Sequence, residues 1–354
     1  MQLIDLGWDS YFENKFELYK TQGLVPARIT RENRQNYLVW SEAGELSAEV
    51  SGRFRHEAEG KGDFPTVGDW VAMAARPEEG RGVIHALLPR KSAFLRKVAG
   101  VVTEQQVIAA NIDTVFIVCG LDGNYNLRRI ERYLSLTWES GAMPVVLLNK
   151  ADLCPEVEER QGEVESVAIG VPVRVISATQ NQGLDILREY LQPGRTAAFL
   201  GSSGVGKSTI INRLLGTERL AVGAVREDDS RGRHTTTSRE LVLLPDGGLV
   251  IDTPGMRELQ VWGDEDGLRQ TFEDIEALAF DCRFRDCRHA EEPGCAVRAA
   301  IENGTLDSGR LDSYLKLQKE LKYLAARQAM KPNAVEKERW KKISRMARDF
   351  KKKG

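Results

Sequence analysis

Apolar and polar residues change rhythm three times along the chain. The first twenty residues, "MQLIDLGWDSYFENKFELYK", carry the spacing of a short helix. From Leu24 to Pro89 the pattern breaks into short runs bounded by turn residues. "ELSAEVSGRF" alternates Leu46, Ala48 and Val50 with polar neighbours, the period of a half-buried strand. "YLVW" (37–40), "DWVAMAA" (69–75) and "GVIHALLP" (82–89) read as further strands, with Gly60, Gly62, Pro65 and Gly68 in the gaps. About five short strands in about seventy residues suit a small closed barrel, of OB or SH3-like type by pattern alone. The basic stretch "PRKSAFLRK" (89–97) reads as a connector leaving that barrel.

From Asn111 to about Gly263 the rhythm is strand, helix, strand. "DTVFIVCG", "PVVLLNK", "VPVRVIS" and "TAAFLG" are near-continuous apolar runs, as buried parallel strands require. "RELVLLP" and "GLVIDTPG" are joined through "DGG", which predicts an antiparallel hairpin. The expectation is a nucleotide-binding α/β sheet of six strands, mostly parallel with one reversed. Beyond it the pattern is helical, and "LDSYLKLQKELKYLAARQ" sets Leu311, Tyr314, Leu317, Leu321 and Leu324 on one face. The fold class is therefore multidomain: an N-terminal all-β barrel, a central α/β domain and a mainly α C-terminal region. Its boundaries are expected at 1–22 (N-terminal segment), 23–95 (barrel), 105–262 (α/β), 263–330 (helical) and 331–354 (tail).

At 354 residues the chain exceeds one compact core, and 42% hydrophobic with 29% charged residues is a soluble globular composition. No apolar run reaches membrane-spanning length and the N-terminus lacks a cleavable apolar core, so a cytoplasmic protein without membrane contact is expected. The net charge of −2 hides an asymmetry: residues 331–354 hold ten Lys or Arg against three Asp or Glu, a net +7, leaving −9 elsewhere. In that tail Trp340, Ile343, Met346 and Phe350 form a stripe among Lys341, Lys342, Arg345, Arg348 and Lys351. Such a helix suits RNA, an anionic lipid surface or a protein groove, or is a solvated face.

Four motifs bear on one nucleotide. "GSSGVGKST" (Gly201, Ser202, Ser203, Gly204, Val205, Gly206, Lys207, Ser208, Thr209) follows one predicted strand and opens a helix, the setting of a phosphate loop. Its backbone N–H groups can cradle phosphates, Lys207 can neutralise the β- and γ-phosphates, and the Ser208 hydroxyl can ligate Mg²⁺. "IDTPG" (251–255) ends another strand, where Asp252 can hold Mg²⁺ through water and Gly255 N–H can sense the γ-phosphate. "NKAD" (149–152) offers the Asp152 carboxylate to guanine N1–H and the 2-amino group, with Asn149 and Lys150 bracing the pocket. "SAT" (177–179), with Ser177 and Ala178, can add a backbone N–H for the guanine oxygen. These point to GTP and GDP rather than ATP. Their order is unusual: the guanine motif precedes the phosphate loop, as if a GTPase sheet had been cut and rejoined through "REYLQPGRTAAFLG".

Cys282, Cys287, His289 and Cys295 make a Cys-x4-Cys-x-His-x5-Cys set. Three thiolates and an imidazole complete a tetrahedron with no open position, which predicts one structural Zn²⁺. Cys119, in an apolar run, and Cys154 read as packed thiols.

Taken in order, "VGDWV", "NKAD", "GSSGVGKST", "GRHTTT", "DTPGMRE" and the cysteine–histidine set resemble the circularly permuted GTPases of bacterial ribosome assembly, the RsgA/YjeQ family (ribosome small-subunit-dependent GTPase A). The resemblance spans nearly the whole chain. It implies an N-terminal RNA-binding OB-fold, a permuted GTPase domain and a C-terminal zinc domain in a monomeric, cytoplasmic enzyme. It also implies binding to the 30S subunit and its 16S rRNA late in maturation, with GTP hydrolysis stimulated by the subunit and coupled to release. The alternative is a nucleotide-gated rRNA-binding checkpoint whose turnover is incidental. By the same resemblance "GRHTTT" (232–237) is switch I, with one of Thr235, Thr236 and Thr237 reaching Mg²⁺ and Thr236 favoured. Met256 stands where many GTPases carry a water-orienting glutamine, so His234 or a ribosomal group takes that role. Gly204 replaces the asparagine of potassium-stimulated relatives, which argues against potassium activation. Because both appendages join near the switches, GTP is expected to set the orientation of barrel and zinc domain.

Overall fold

Helix α1 (Ser10–Lys20) begins at Asp9, whose carboxylate accepts the N–H groups of Tyr11 and Phe12. Its buried face, Phe12 and Phe16, packs with Leu6 and Leu88 onto the fully buried Trp70. In the computed structural model, which describes residues 2–33, 36–97, 105–218, 239–252 and 265–323, Trp70 belongs to a barrel wall. The predicted N-terminal helix thus packs on the face of the wall opposite the barrel interior, and burying each phenyl ring contributes about 1.5–3 kcal/mol.

The barrel strands are β1 (Val25–Glu32), β2 (Tyr37–Ser41), β3 (Gly44–Val50), β4 (Trp70–Arg76) and β5 (Arg81–Leu87). They pair in the order β1-β2-β3-β5-β4, and β4 returns to β1 to close the wall. Only β3 and β5 run parallel within it. Alternate residues fill the interior: Ala27, Ile29, Val39, Leu46, Ala48, Val71, Met73 and Ile84. The strand expected through Phe54 stops at Val50, because Ser51 Oγ accepts the Phe54 N–H and caps a short helix, α2 (Gly52–Glu57). The expected connector 89–97 also differs. It contains β6 (Ala93–Lys97), which pairs antiparallel with β7 (Gln105–Ala110).

The central sheet follows: β8 (Thr114–Gly120), α3 (Leu127–Ser140), β9 (Met143–Asn149), α4 (Val157–Val167), β10 (Val173–Val175), β11 (Thr196–Leu200), α5 (Lys207–Leu215), β12 (Glu240–Leu243) and β13 (Leu249–Asp252). The strand order is β10-β9-β8-β11-β13-β12, parallel at every pairing except β12 with β13. All of β8 and β11 is buried, which is why both read as unbroken apolar runs. One face packs α5 through Ile210 and Ile211. The other packs α3 and the C-terminal helices α6 (Asp266–Thr271), α7 (Glu273–Phe280), α8 (Ala296–Glu302) and α9 (308–323). Leu311, Tyr314, Leu317 and Leu321 are buried there, as their spacing predicts; Leu324 lies outside the described residues.

Barrel and central sheet are continuous, since β1 pairs antiparallel with β12 at Arg31 and Glu240. Two crossed ion pairs reinforce the join, Arg31 with Glu240 and Arg239 with Glu32. Beneath them Arg28 is fully enclosed. Its guanidinium donates to Leu6 O, to Gly68 O (3.3 Å), to Asn111 O (3.1 Å) and to Thr196 Oγ1 (2.9 Å). One side chain therefore ties the N-terminal segment, the barrel and β11 together. Among the described residues no helix is long and apolar enough to cross a membrane.

Candidate functional site

Strands β8, β9, β10, β11 and β13 all end at the same edge of the sheet because they run parallel. Loops leaving that edge converge, the usual place for a ligand in an open α/β sheet. The phosphate loop leaves β11 there, Asn149–Asp152 leaves β9, Ser177–Thr179 follows β10, and Asp252 ends β13.

The phosphate loop holds its shape through backbone conformations that favour glycine: φ is +154° at Gly201, +76° at Gly204 and +100° at Gly206. Close approach matters as well. A Cβ on Gly201 would sit 2.5 Å from Val118 O, and one on Gly206 would sit 2.2 Å from Asn149 Nδ2. Lys207, at the start of α5, lays its ammonium on the loop's own carbonyls, Gly201 O and Ser202 O, each at 2.7 Å.

Asn149 joins the predicted motifs. Its Nδ2 donates to Val205 O in the phosphate loop (2.8 Å), and its Oδ1 accepts the Ala178 N–H (3.0 Å). It is buried, so both bonds form away from water. The Ala178 N–H, a candidate for the guanine oxygen, is engaged by Asn149 in this structure. Lys150 adopts φ +68°, turning the chain so that Asp152 lies exposed beyond the strand end. Ser177 Oγ donates to Asp152 Oδ1 and fixes the carboxylate. Asp252 lies beside the phosphate loop's strand, since β13 and β11 are adjacent and parallel. His234, Thr236, Gly255 and Met256 fall outside the described residues.

Two side chains at this edge escaped the sequence reading. Asp122, after β8, accepts from Lys150 Nζ at 2.5 Å. Burial raises its carboxyl, but the Lys150 ammonium and the Asn124 N–H outweigh that and hold it below the ordinary carboxylate value. Arg129, in the first turn of α3, donates to Ser202 Oγ at 3.0 Å. The only signal for Asp122 was position, just after an apolar run that ends at the edge shared with the other motifs; Arg129, in the helix beyond, carried none.

The cysteine–histidine set also comes together. The four ligand atoms of Cys282, Cys287, His289 and Cys295 all lie within 4.8 Å of one another. Cys282 Sγ is 3.9 Å from Cys295 Sγ and 3.7 Å from His289 Nδ1, which is 3.4 Å from Cys295 Sγ. Bonds of about 2.3 Å to sulfur and about 2.0 Å to nitrogen imply tetrahedral edges of roughly 3.5–3.8 Å, so the donor set fits one four-coordinate ion. Burial keeps the His289 imidazole below its ordinary pKa and hence neutral, the form that ligates a metal. Burial raises the Cys282 thiol, yet the N–H groups of Ala296 and Val297 at the start of α8 bring it below the ordinary thiol value.

Comparison with known proteins agrees with this geometry. The sequence model of the RsgA GTPase family matches residues 87–262. A small ribosomal subunit biogenesis GTPase RsgA from Opitutus terrae is 49% identical over 352 residues, covering 97% of this chain and 96% of the relative. The crystal structure of YjeQ from Thermotoga maritima superposes with a TM-score of 0.65 at 28% identity, covering 84% of this chain and 98% of that one. YloQ, described as a circularly permuted GTPase, superposes with a TM-score of 0.60 at 25% identity, covering 84% and 95%.

Proposed function

The chain belongs to the RsgA GTPase family, and from that premise we propose how its residues divide the work of a GTP hydrolase in small ribosomal subunit biogenesis. It is a circularly permuted P-loop GTPase, and its curated relatives are named for biogenesis of that subunit. The observation that carries the assignment of roles is Asn149, which bonds the phosphate loop on one side and the Ser177–Thr179 loop on the other. A base and a phosphate chain of one nucleotide can therefore be read by a single preorganised frame.

In this reading Asp152 accepts the guanine N1–H and 2-amino hydrogens, a pairing adenine cannot make. Ser177 orients that carboxylate and Asp122 holds Lys150 beside it. The N–H groups of 201–209 and the Lys207 ammonium neutralise the phosphates, Lys207 leaving its resting carbonyls to do so. Ser208 and Asp252, with Thr236 from switch I, would hold the Mg²⁺ that arrives with GTP; the ion neutralises charge on the phosphate oxygens. His234 orients the attacking water that Met256 cannot hydrogen-bond. The four donors near α8 hold one Zn²⁺ as a structural cross-link.

The barrel's closed order, with β3 parallel to β5, supports reading it as an OB-fold. We assign the chain to a cytoplasmic monomer that meets 16S rRNA on the 30S particle late in its maturation and leaves after hydrolysis. Co-sedimentation tests this. The protein should pellet with 30S particles in the presence of a non-hydrolysable GTP analogue and stay in the supernatant with GDP. Equal pelleting in both states, or preference for 50S particles, contradicts it.

A further inference from the structure

Helix α3 opens with two adjacent arginines that turn opposite ways. Arg129 Nη1 donates to Ser202 Oγ in the phosphate loop (3.0 Å) and to Asn124 O (3.3 Å), while its N–H is capped by Asn126 Oδ1 (2.9 Å). Arg128 faces the C-terminal helices. Its Nη1 donates to Glu131 Oε1 (2.7 Å) and its Nη2 to the Asp307 carboxylate, which also caps α9 by accepting the Arg310 N–H (3.0 Å). Farther along the same side, Glu131 accepts from Arg310 Nη1 (3.1 Å), and Arg132 forms a two-pronged pair with Glu320 (2.8 and 2.9 Å). Helix α3 is thus fastened to α9 along one side and touches the phosphate loop at its first turn.

The phosphate loop has few rigid anchors, because its positive-φ glycines carry no side chains. Asn149 holds Val205, and Lys207 holds the carbonyls of Gly201 and Ser202. Once a phosphate chain draws the Lys207 ammonium away, Arg129 still holds Ser202. We propose that Arg129 is a positioning residue for the phosphate loop, and that the Arg128–Arg129 pair carries contact between the C-terminal helices and the small ribosomal subunit to that loop. The proposal rests on the subunit-dependent GTPase reading above. A shift of about 1 Å at the first turn of α3 is enough to weaken the Arg129–Ser202 bond, and misplacement of that size costs up to about a hundredfold in rate.

The test uses the full-length zinc-loaded protein, with GTP turnover measured with and without 30S particles and nucleotide affinities measured by equilibrium titration. Arg129→Gln should lower kcat on 30S by roughly ten- to a hundredfold while KM for GTP and Kd for GDP stay within about threefold. Arg129→Lys, which keeps a charged donor, should recover part of that loss. Asp307→Asn keeps the cap on α9 and removes only the charge facing Arg128. It should leave turnover without particles within about twofold of wild type and cut 30S stimulation about tenfold. Wild-type kcat in Arg129→Gln overturns the proposal, as does an affinity loss proportional to the rate loss, or unaltered stimulation in Asp307→Asn. If Arg129→Gln does not fold, the Arg129→Lys protein decides: full kcat and full stimulation overturn the proposal, and reduced kcat at constant KM supports it. Wild-type protein that 30S fails to stimulate would instead remove the functional reading on which the proposal stands.

Discussion

Replacing Arg310 by Met should loosen the C-terminal helices far more than any surface arginine would. Arg310 is 2% exposed and makes five hydrogen bonds: two to Asp274 (2.7 and 2.8 Å) and one each to Glu131 Oε1 (3.1 Å), Val167 O (3.2 Å) and Thr271 O (2.9 Å). Met fills a similar volume, so the cavity term is small. Asp274 can rehydrate, but Glu131 is 0% exposed and its Oε2 already lacks a partner. Removing one member of a buried ion pair costs about 3–5 kcal/mol; here Glu131 keeps Arg128 (2.7 Å) but loses its second guanidinium. At about 1.4 kcal/mol per tenfold, local opening should rise by about 10²-fold to a few thousandfold. Hydrogen exchange of the amides of 311–323, read by mass spectrometry, measures that opening without assuming two-state unfolding of a multidomain chain. The sign of the pH effect also follows. Burial raises the Glu131 carboxyl against the lowering influence of Ser313, Arg128 and Arg310, so losing Arg310 raises it further. A raised folded-state value means stability present in acid and lost as pH climbs through that value. The gap between variant and wild type should therefore narrow from about pH 8 toward about pH 5. Exchange within about threefold of wild type, or a gap indifferent to pH, would refute the reasoning.

Three other perturbations address the sites. Asp152→Asn should weaken GTP binding and strengthen binding of xanthosine triphosphate, whose 2-oxo group suits an amide; unchanged preference in competition titrations removes Asp152 from the base pocket. Cys287→Ala should lower zinc content by elemental analysis and destabilise the region around α8 while GTP affinity is retained, since the cluster lies apart from the phosphate loop in the chain and in its core contacts. Wild-type protein that purifies without zinc contradicts the metal assignment. His234→Ala should cut 30S-stimulated kcat by about 10²- to 10⁴-fold at little change in GTP affinity. A kcat within a few-fold of wild type hands water orientation to a ribosomal group.

What could be read from the sequence was what depends on local backbone. "GSSGVGKST" encodes its own turn through Gly201, Gly204 and Gly206, and the buried strands β8 and β11 announce themselves as apolar runs. The clustering of Cys282, Cys287, His289 and Cys295 was legible because donor type and spacing are themselves the signal. Contacts between distant segments were not legible. Arg28 reaches Thr196 and Arg310 reaches Glu131, and nothing in the text near either distinguishes an enclosed arginine from a solvated one. Strand β6 reads as part of a connector because charged residues in "PRKSAFLRK" mask the short alternation of Ala93 to Lys97. Asp122 and Arg129, like Arg28 and Arg310, are not legible because their partners, Lys150 and Ser202, lie in distant segments.

The long-range contacts also bear on how nucleotide state could reach the ribosome. Reorienting the barrel against the central sheet would have to break the Arg28 bonds and the β1–β12 pairing, and moving α9 would have to break the Arg310 network. Signals that pass through small displacements of α3 and the loops cost less than rigid-body rotation of either appendage. All of this presumes an enzyme whose turnover answers to the small subunit. Steady-state GTP turnover of the purified protein, alone and with equal amounts of 30S or 50S particles, tests that most directly. A subunit-dependent enzyme should show at least about a tenfold rise with 30S and little change with 50S; turnover unchanged by 30S, or raised equally by both particles, contradicts that dependence.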